Sequence, residues 1–369
     1  MAERVFLHVG APKTGTTYLQ QMLWGNRSAL KNEGILLPAT RKAHYQAMGD
    51  LRRGVWHDPD AWWTWDRLAA KARAWSGTVV ISEEMLGAAT PSQAKQAIES
   101  LQSAEVHVVV AGRDLGRTIP SSWQQGVRAR NLGRYRDYVN ALQTGKYPEF
   151  WAHQTPLPIL RRWSDSLPAA QRHLVTVPPD GADPLLLWQR FAGVIGIPEG
   201  LCEQRSSHKN TSLGVVETEL LRRVNNALGD SYPLRAPYLK VVHGHLVNPI
   251  LKRRKGGERF GAPLELADWI RDTAEQMADD VRQYKCDVAG DPADLVPAEL
   301  REGTAPDEVS EEVLLQTAVE TIVGMLKHTD RTTRRMRPAE ADMSRRVRRF
   351  TVRAKRRLGS AADRLRRFG

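Results

Sequence analysis

The segment that most restricts the fold is RVFLHVGAPKTGTTYLQ, Arg4 to Gln20. RVFLHVG reads as a buried strand closed by Gly10, and a helical pattern runs from Thr17 to Leu30. Between them lie glycine, proline, threonine and a single lysine, Lys13. A strand that hands over to a helix through such a loop offers backbone N–H groups and a helix N-terminus. Together these make an anion site, and a lysine adds a point charge.

The rest of the chain repeats the alternation. Thr78 to Ser82, Val106 to Gly112 and His173 to Pro179 are short, valine-rich where they are most apolar, and bounded by Gly or Pro, as buried parallel strands are. Helical stretches follow at Ser92 to Gln102, Pro120 to Ala129, Pro184 to Ile195, Val215 to Leu228 and Leu264 to Tyr284. The pattern predicts an α/β fold with an open, mostly parallel, P-loop-like sheet and helices on both faces. It divides the chain into an α/β domain over 1–300, an amphipathic helix over 301–330 packed on the body, and a basic helical or disordered tail over 331–369.

Charge supports that division. The chain carries a formal +12, but 15 Lys and Arg stand against 3 Asp and Glu after residue 330, leaving 39 against 39 before it. The body is neutral, which argues against nucleic acid as the partner of the folded part. Two cysteines, Cys202 and Cys286, form neither a disulfide framework nor a metal-ligand spacing, and a reducing cytoplasm is the expected compartment. The chain has no apolar run of membrane-spanning length and no signal-peptide pattern at its start.

The loop itself fits neither common nucleotide motif. In G-x-x-x-x-G-K-[ST] the lysine follows the last glycine, whereas Lys13 precedes Gly15; in G-x-G-x-x-G, glycines would stand where Pro12 and Lys13 are. Pro12-Lys13-Thr14-Gly15-Thr16-Thr17 instead resembles the P-K-[TS]-G-T-[TS] phosphosulfate-binding loop of sulfotransferases. A second segment agrees: GRDLGRTIPSSWQQ places Arg113 at the end of a strand and Ser121 eight positions later on a helix. In that family an Arg and a Ser so spaced bind the 3'-phosphate of 3'-phosphoadenosine 5'-phosphosulfate (PAPS). A third segment, Arg254-Lys255-Gly256-Gly257-Glu258-Arg259, resembles the family's R-K-G-x-x-G nucleotide loop, with Arg259 in place of the final glycine. The resemblance covers residues 4 to 290. It implies PAPS as co-substrate, no metal, and cofactor contacts from Pro12 to Thr17, Arg113, Ser121, Arg254, Lys255 and Gly256.

Sulfuryl transfer moves a highly charged group between oxygens, so positioning and charge stabilisation carry most of the catalysis. Lys13 is placed to neutralise charge on the leaving phosphate oxygen. The acceptor must also lose a proton, and members of the family use His or Glu for that. Glu84 in VVISEEML is the first candidate and His44 the second, with Glu83 and Glu33 as alternatives. The run Ser82 to Leu86 looks like an S-x-E-x-L pattern of bacterial sulfotransferase-like proteins. The competing explanation makes Glu83 and Glu84 N-terminal charges of the next helix. His8 is expected in the core.

The acceptor is not legible: carbohydrate, lipid and small phenolic molecules all remain open. Trp56, Trp62, Trp63, Trp65 and Trp75 crowd together beside His57, Asp58 and Asp60, and helical packing explains the cluster better than ligand stacking. In the tail, Val347, Phe350, Ala354, Leu358, Ala361, Leu365 and Phe368 recur at three- and four-residue spacing among arginines. That pattern fits a solvated tail, an anionic membrane surface, or an acidic or nucleic-acid partner. A P-loop phosphotransferase and a non-catalytic nucleotide-binding or membrane-associated protein are the alternative functions.

Overall fold

A computed structural model of the chain describes residues 2–53, 62–203, 212–232, 236–254 and 257–334. Six strands form one open sheet in which every pairing is parallel: β1 (Ala2–Gly10), β2 (Ile35–Leu36), β3 (Gly77–Ser82), β4 (Glu105–Gly112), β5 (Arg172–Thr176) and β6 (Asp287–Ala289). Their order is β2-β3-β1-β4-β5-β6. The chain therefore crosses over β1 between β3 and β4, and the order reverses beside β1.

Side chains along each inner strand alternate between two apolar layers, as the pleat requires. Val5, Leu7, Val9, Val79, Ile81, Val108, Val110 and Leu174 belong to one, with Trp65, Ile159, Leu160 and Trp163. Phe6, Val80, Val109 and Val175 belong to the other, with Leu19, Leu23, Trp188 and Phe191. A sheet buried on both faces is what near-continuous apolar strands predict. Polar links join the outer strands on the second face: His107 stacks on Phe6 with ring centroids 4.5 Å apart. Its Nδ1 lies 2.9 Å from His173 Nε2, and His173 Nδ1 donates to Asp287 Oδ2 at 2.8 Å.

The elements differ from the sequence pattern in instructive places. β2 and β6 have two and three residues, too few to show a period. The expected helix over Thr17 to Leu30 breaks at Asn26, whose side chain donates back to the Met22 carbonyl, giving α1 (Thr16–Gly25) and a short helix Arg27–Asn32. The helix expected from Pro120 begins at Leu115, because the Asp114 carboxylate accepts the Arg117 N–H and caps it; Pro120 is carried inside. Trp65 is buried with Nε1 on Ser100 Oγ at 2.9 Å, whereas Trp62 is exposed beneath the Arg67 guanidinium. Trp56, His57, Asp58 and Asp60 lie outside the described residues, as does the basic segment from 335 onward.

The chain forms two compact units. One, Met1–Thr211 with Glu258–Glu308, contains the sheet; the other joins Ser212–Gly257 to Val309–Gly369. In the second unit a helix over 311–334 accompanies the helix Val215–Leu228 and the π-helix Leu239–Val247. Among the described residues no helix is long and apolar enough to cross a membrane.

Leu7, on the central strand, has no exposed surface. Leu7→Ala should lower the stability of the sheet unit by about 2–5 kcal/mol, read from the midpoint of chemical unfolding. A loss below about 1 kcal/mol would mean that the layer collapses onto the cavity and that β1 is not its keystone.

Candidate functional site

Open parallel sheets bind ligands beyond the carboxyl ends of their strands, where the strand order reverses. Here that place lies between the ends of β1 and β4. The two strands stay clasped there, because the Ala11 N–H donates to the Ala111 carbonyl at 3.0 Å. The loop from Pro12 to Thr17 starts at that clasp.

Its shape comes from two left-handed residues, Lys13 at φ 68° and Gly15 at φ 82°. The left-handed conformation favours glycine at 15, and a Cβ there would also press on the end of the Leu187 side chain, 2.5 Å from Cδ2. The Thr14 hydroxyl donates to the Ala11 carbonyl at 2.6 Å and ties the loop to its own base. Gly15 then caps α1, whose first turn contains no acidic residue. The first-turn N–H groups have no partner inside their own helix, and the positive end of the helix favours negative charge beside it.

Three side chains converge on this loop from elsewhere. Arg113, one residue past β4, donates from Nη1 to the Lys13 carbonyl at 3.1 Å. Its Nε is buried and meets no acceptor among the described residues. Burial pushes its pKa down to about 10, so the guanidinium stays charged at neutral pH while stripped of much of its water. The nearby carboxylates Asp114 and Asp180 act on it through space but hydrogen-bond other arginines. Asp114 takes Arg117, and Asp180 accepts from Arg117 Nη1 at 3.0 Å and Arg301 Nη2 at 3.2 Å. A desolvated cation with an open N–H favours an anionic ligand.

Gln125 accepts from Lys13 Nζ at 2.9 Å. Ser121 lies one turn earlier on the same helix, so its face is the one turned to the loop; its hydroxyl donates to the Thr118 carbonyl at 3.0 Å. Gln125 was missed by the sequence reading, although its spacing of four from Ser121 marks it. Glu84, the third, accepts the hydroxyl proton of Thr16.

Glu83 and Glu84 follow the end of β3, and both contribute locally: the Glu83 carboxylate accepts the Met85 N–H at 3.3 Å and caps the 3-10 turn Glu84–Ala88. Glu83 is nearly buried, and desolvation, reinforced by the charge of Glu84, pushes its pKa up to about 7. The two histidines differ. His44 is buried; its Nε2 lies 2.9 Å from the Pro38 carbonyl, and its Nδ1 lies 3.3 Å from the Ser82 N–H, so both ring nitrogens serve the backbone. His8 is fully buried with Nδ1 2.8 Å from Ser82 Oγ and its ring against Phe191. Burial holds both near pKa 4 and therefore neutral. Glu33 is exposed just before β2, at the amino-terminal edge of the sheet, opposite the loop.

The third segment is divided, with Arg254 to Gly257 in the second unit and Glu258 and Arg259 in the first. Arg254 donates from Nε to Glu217 at 2.8 Å and from Nη1 to Glu320. Lys255 and Gly256 lie outside the described residues. Among the described residues no group of three or more His, Cys, Asp or Glu is placed to hold a metal ion. Comparison of the chain with family models, curated proteins and solved structures found no match in any of the three.

The environment of Glu83 has a measurable consequence. A carboxyl whose folded pKa lies above its ordinary 4.5 stabilises the fold while protonated, and that contribution is lost as pH rises through about 7. Between about pH 5 and pH 8 the wild type should therefore lose up to about 3 kcal/mol relative to Glu83→Gln, measured by chemical unfolding at each pH. Parallel pH profiles would place Glu83 in a solvated setting instead.

Proposed function

We propose that the chain is a sulfotransferase that takes a sulfuryl group from PAPS and delivers it to a hydroxyl or amine of an acceptor. The observation that carries this is the hydrogen bond from Arg113 to the Lys13 carbonyl, which joins two motifs 100 residues apart at the carboxyl edge of the sheet. Each motif alone resembles half of a phosphosulfate nucleotide site, and their meeting supplies the geometry that both require.

The residues present fit such a ligand. The loop offers helix N–H groups, Lys13 and a glycine that leaves no room for a side chain. Arg113 offers a buried N–H that lacks an acceptor. A nucleotide with phosphate at both its 3' and 5' sides would use both ends, with Arg113 and Ser121 holding the 3'-phosphate and Pro12 to Thr17 wrapping the phosphosulfate. When bound, PAPS supplies a sulfuryl group on a phosphate leaving group.

The chain's own residues then have separate tasks. Lys13, held over the loop by Gln125, offsets the negative charge that grows on the phosphate oxygen as the S–O bond breaks. The α1 N-terminus orients the charged group without moving. Glu84 takes the acceptor's proton, with Glu83 beside it as the alternative base. Glu84 is tethered to the loop through Thr16, and mutual repulsion with burial makes Glu83 basic enough to hold a proton near neutral pH. His44 has no nitrogen to spare for that task.

Calorimetric titration with 3'-phosphoadenosine 5'-phosphate, beside ATP with magnesium, tests the assignment. Binding should favour the 3'-phosphorylated nucleotide, and Arg113→Ala should weaken it by about 10- to 100-fold. Tight binding of ATP alone would replace PAPS with a phosphoryl donor. Once an acceptor is in hand, Glu84→Gln should lower turnover by roughly 10²- to 10⁴-fold with nucleotide affinity kept. Lys13→Ala should act chiefly on turnover too.

A further inference from the structure

The helix over 311–334 buries one face within the second unit and leaves an apolar stripe on another. Leu314, Thr317 and Thr321 are 4%, 3% and 4% exposed. Gly324 lies against Ile250, where a Cβ would stand 3.0 Å from the Ile250 side chain. Arg223 reaches Glu311 at 2.7 Å and Arg254 reaches Glu320, so ion pairs pin the helix along its length. The inward side is accounted for.

The opposite side is not. Leu315, Val319, Ile322 and Leu326 are 67%, 49%, 57% and 66% exposed, and Val323 beside them is 42% exposed. Their spacing of four, three and four places them in one line along the helix. A run of aliphatic side chains in water is the usual mark of a surface that something covers.

Charge says what covers it. Immediately beyond the stripe, residues 331–369 hold 15 Lys and Arg against 3 Asp and Glu, while the rest of the chain balances at 39 against 39. The partner has to offer an apolar layer to the stripe and negative charge to the segment that follows it. Nucleic acid supplies the charge and no such layer. A second copy supplies an apolar helix but no net negative charge for the basic segment, and five side chains fall well short of the roughly 800 Å² per partner that a stable dimer buries. A bilayer with anionic headgroups supplies both, and weak apolar insertion next to a basic cluster is how peripheral helices hold a membrane.

We infer that the outer face of the helix over 311–334 is a membrane contact: Leu315, Val319, Ile322, Val323 and Leu326 enter the headgroup boundary of an anionic bilayer, and the basic segment after Arg331 holds the surface electrostatically. This stands independently of the loop from Pro12 to Thr17, Arg113 and Ser121, which lie in the other unit. Vesicle co-sedimentation of the full chain tests it, with mixed phosphatidylcholine–phosphatidylserine vesicles beside phosphatidylcholine alone. The chain should bind the mixed vesicles at about 0.1 M salt and keep part of that binding at about 0.5 M, where exposed charges are screened within a few ångströms. Leu315→Ser combined with Ile322→Ser and Leu326→Ser should cut the salt-resistant part about tenfold or more, and leave the low-salt part largely in place. Leu315→Ser or Leu326→Ser alone should produce part of the loss. The inference is overturned if the wild type binds no mixed vesicles, or if the triple variant, folded by circular dichroism, binds at high salt as the wild type does. It is overturned equally if light scattering shows a wild-type dimer that the triple variant dissolves.

Discussion

Everything at the candidate site depends on β1 being paired on both edges. Its backbone is in register with β3 on one side and β4 on the other, so the chain has to leave its end at Gly10 in the gap where the strand order reverses. The Ala11 to Ala111 hydrogen bond carries that pairing one residue past the strand and fixes where the loop begins. Since β3 and β4 run parallel to β1, Ser82 and Gly112 end at the same edge, and the residues after them, Glu83, Glu84 and Arg113, are delivered beside the loop. A parallel sheet gathers chemistry at one edge without any of the contributing segments being near each other in sequence.

Electrostatics at that edge is arranged by what the carboxylates do. Asp114 and Asp180 are occupied by Arg117 and Arg301, and Glu84 is turned to the Thr16 hydroxyl. Arg113 is consequently left charged, partly dehydrated and short of an acceptor, in a setting where a hydrogen bond to an anion gains more than it would in water. Glu83 is the converse case: burial beside a second carboxylate disfavours its charge, so its proton is held until about neutral pH. Burial moves both groups toward their neutral forms, Arg113 downward and Glu83 upward. The second unit arranges its charges otherwise, with Arg222, Arg223 and Arg254 each paired to glutamates and one helix face left apolar to solvent.

The sequence determined the local pieces by itself. The apolar runs read as buried strands, the Gly-Pro-Thr loop with Lys13 read as the link from a strand to a helix, and the charge count separated the last 39 residues from a neutral body. Those features depend on near neighbours, and periodicity and composition report near neighbours well. Tertiary structure decided the rest. Whether Arg113 reaches the loop, whether Gln125 meets Lys13, and that both ring nitrogens of His44 lie against backbone groups are all matters of strand order and register. β2 and β6 were illegible because two or three residues carry no period, and which face of the helix over 311–334 is buried emerged only when Gly324 met Ile250. The physical reason is common to all of these: side-chain function is set by contacts between segments distant in sequence, and a single chain's pattern encodes what each segment wants to bury but not which segment it will bury it against.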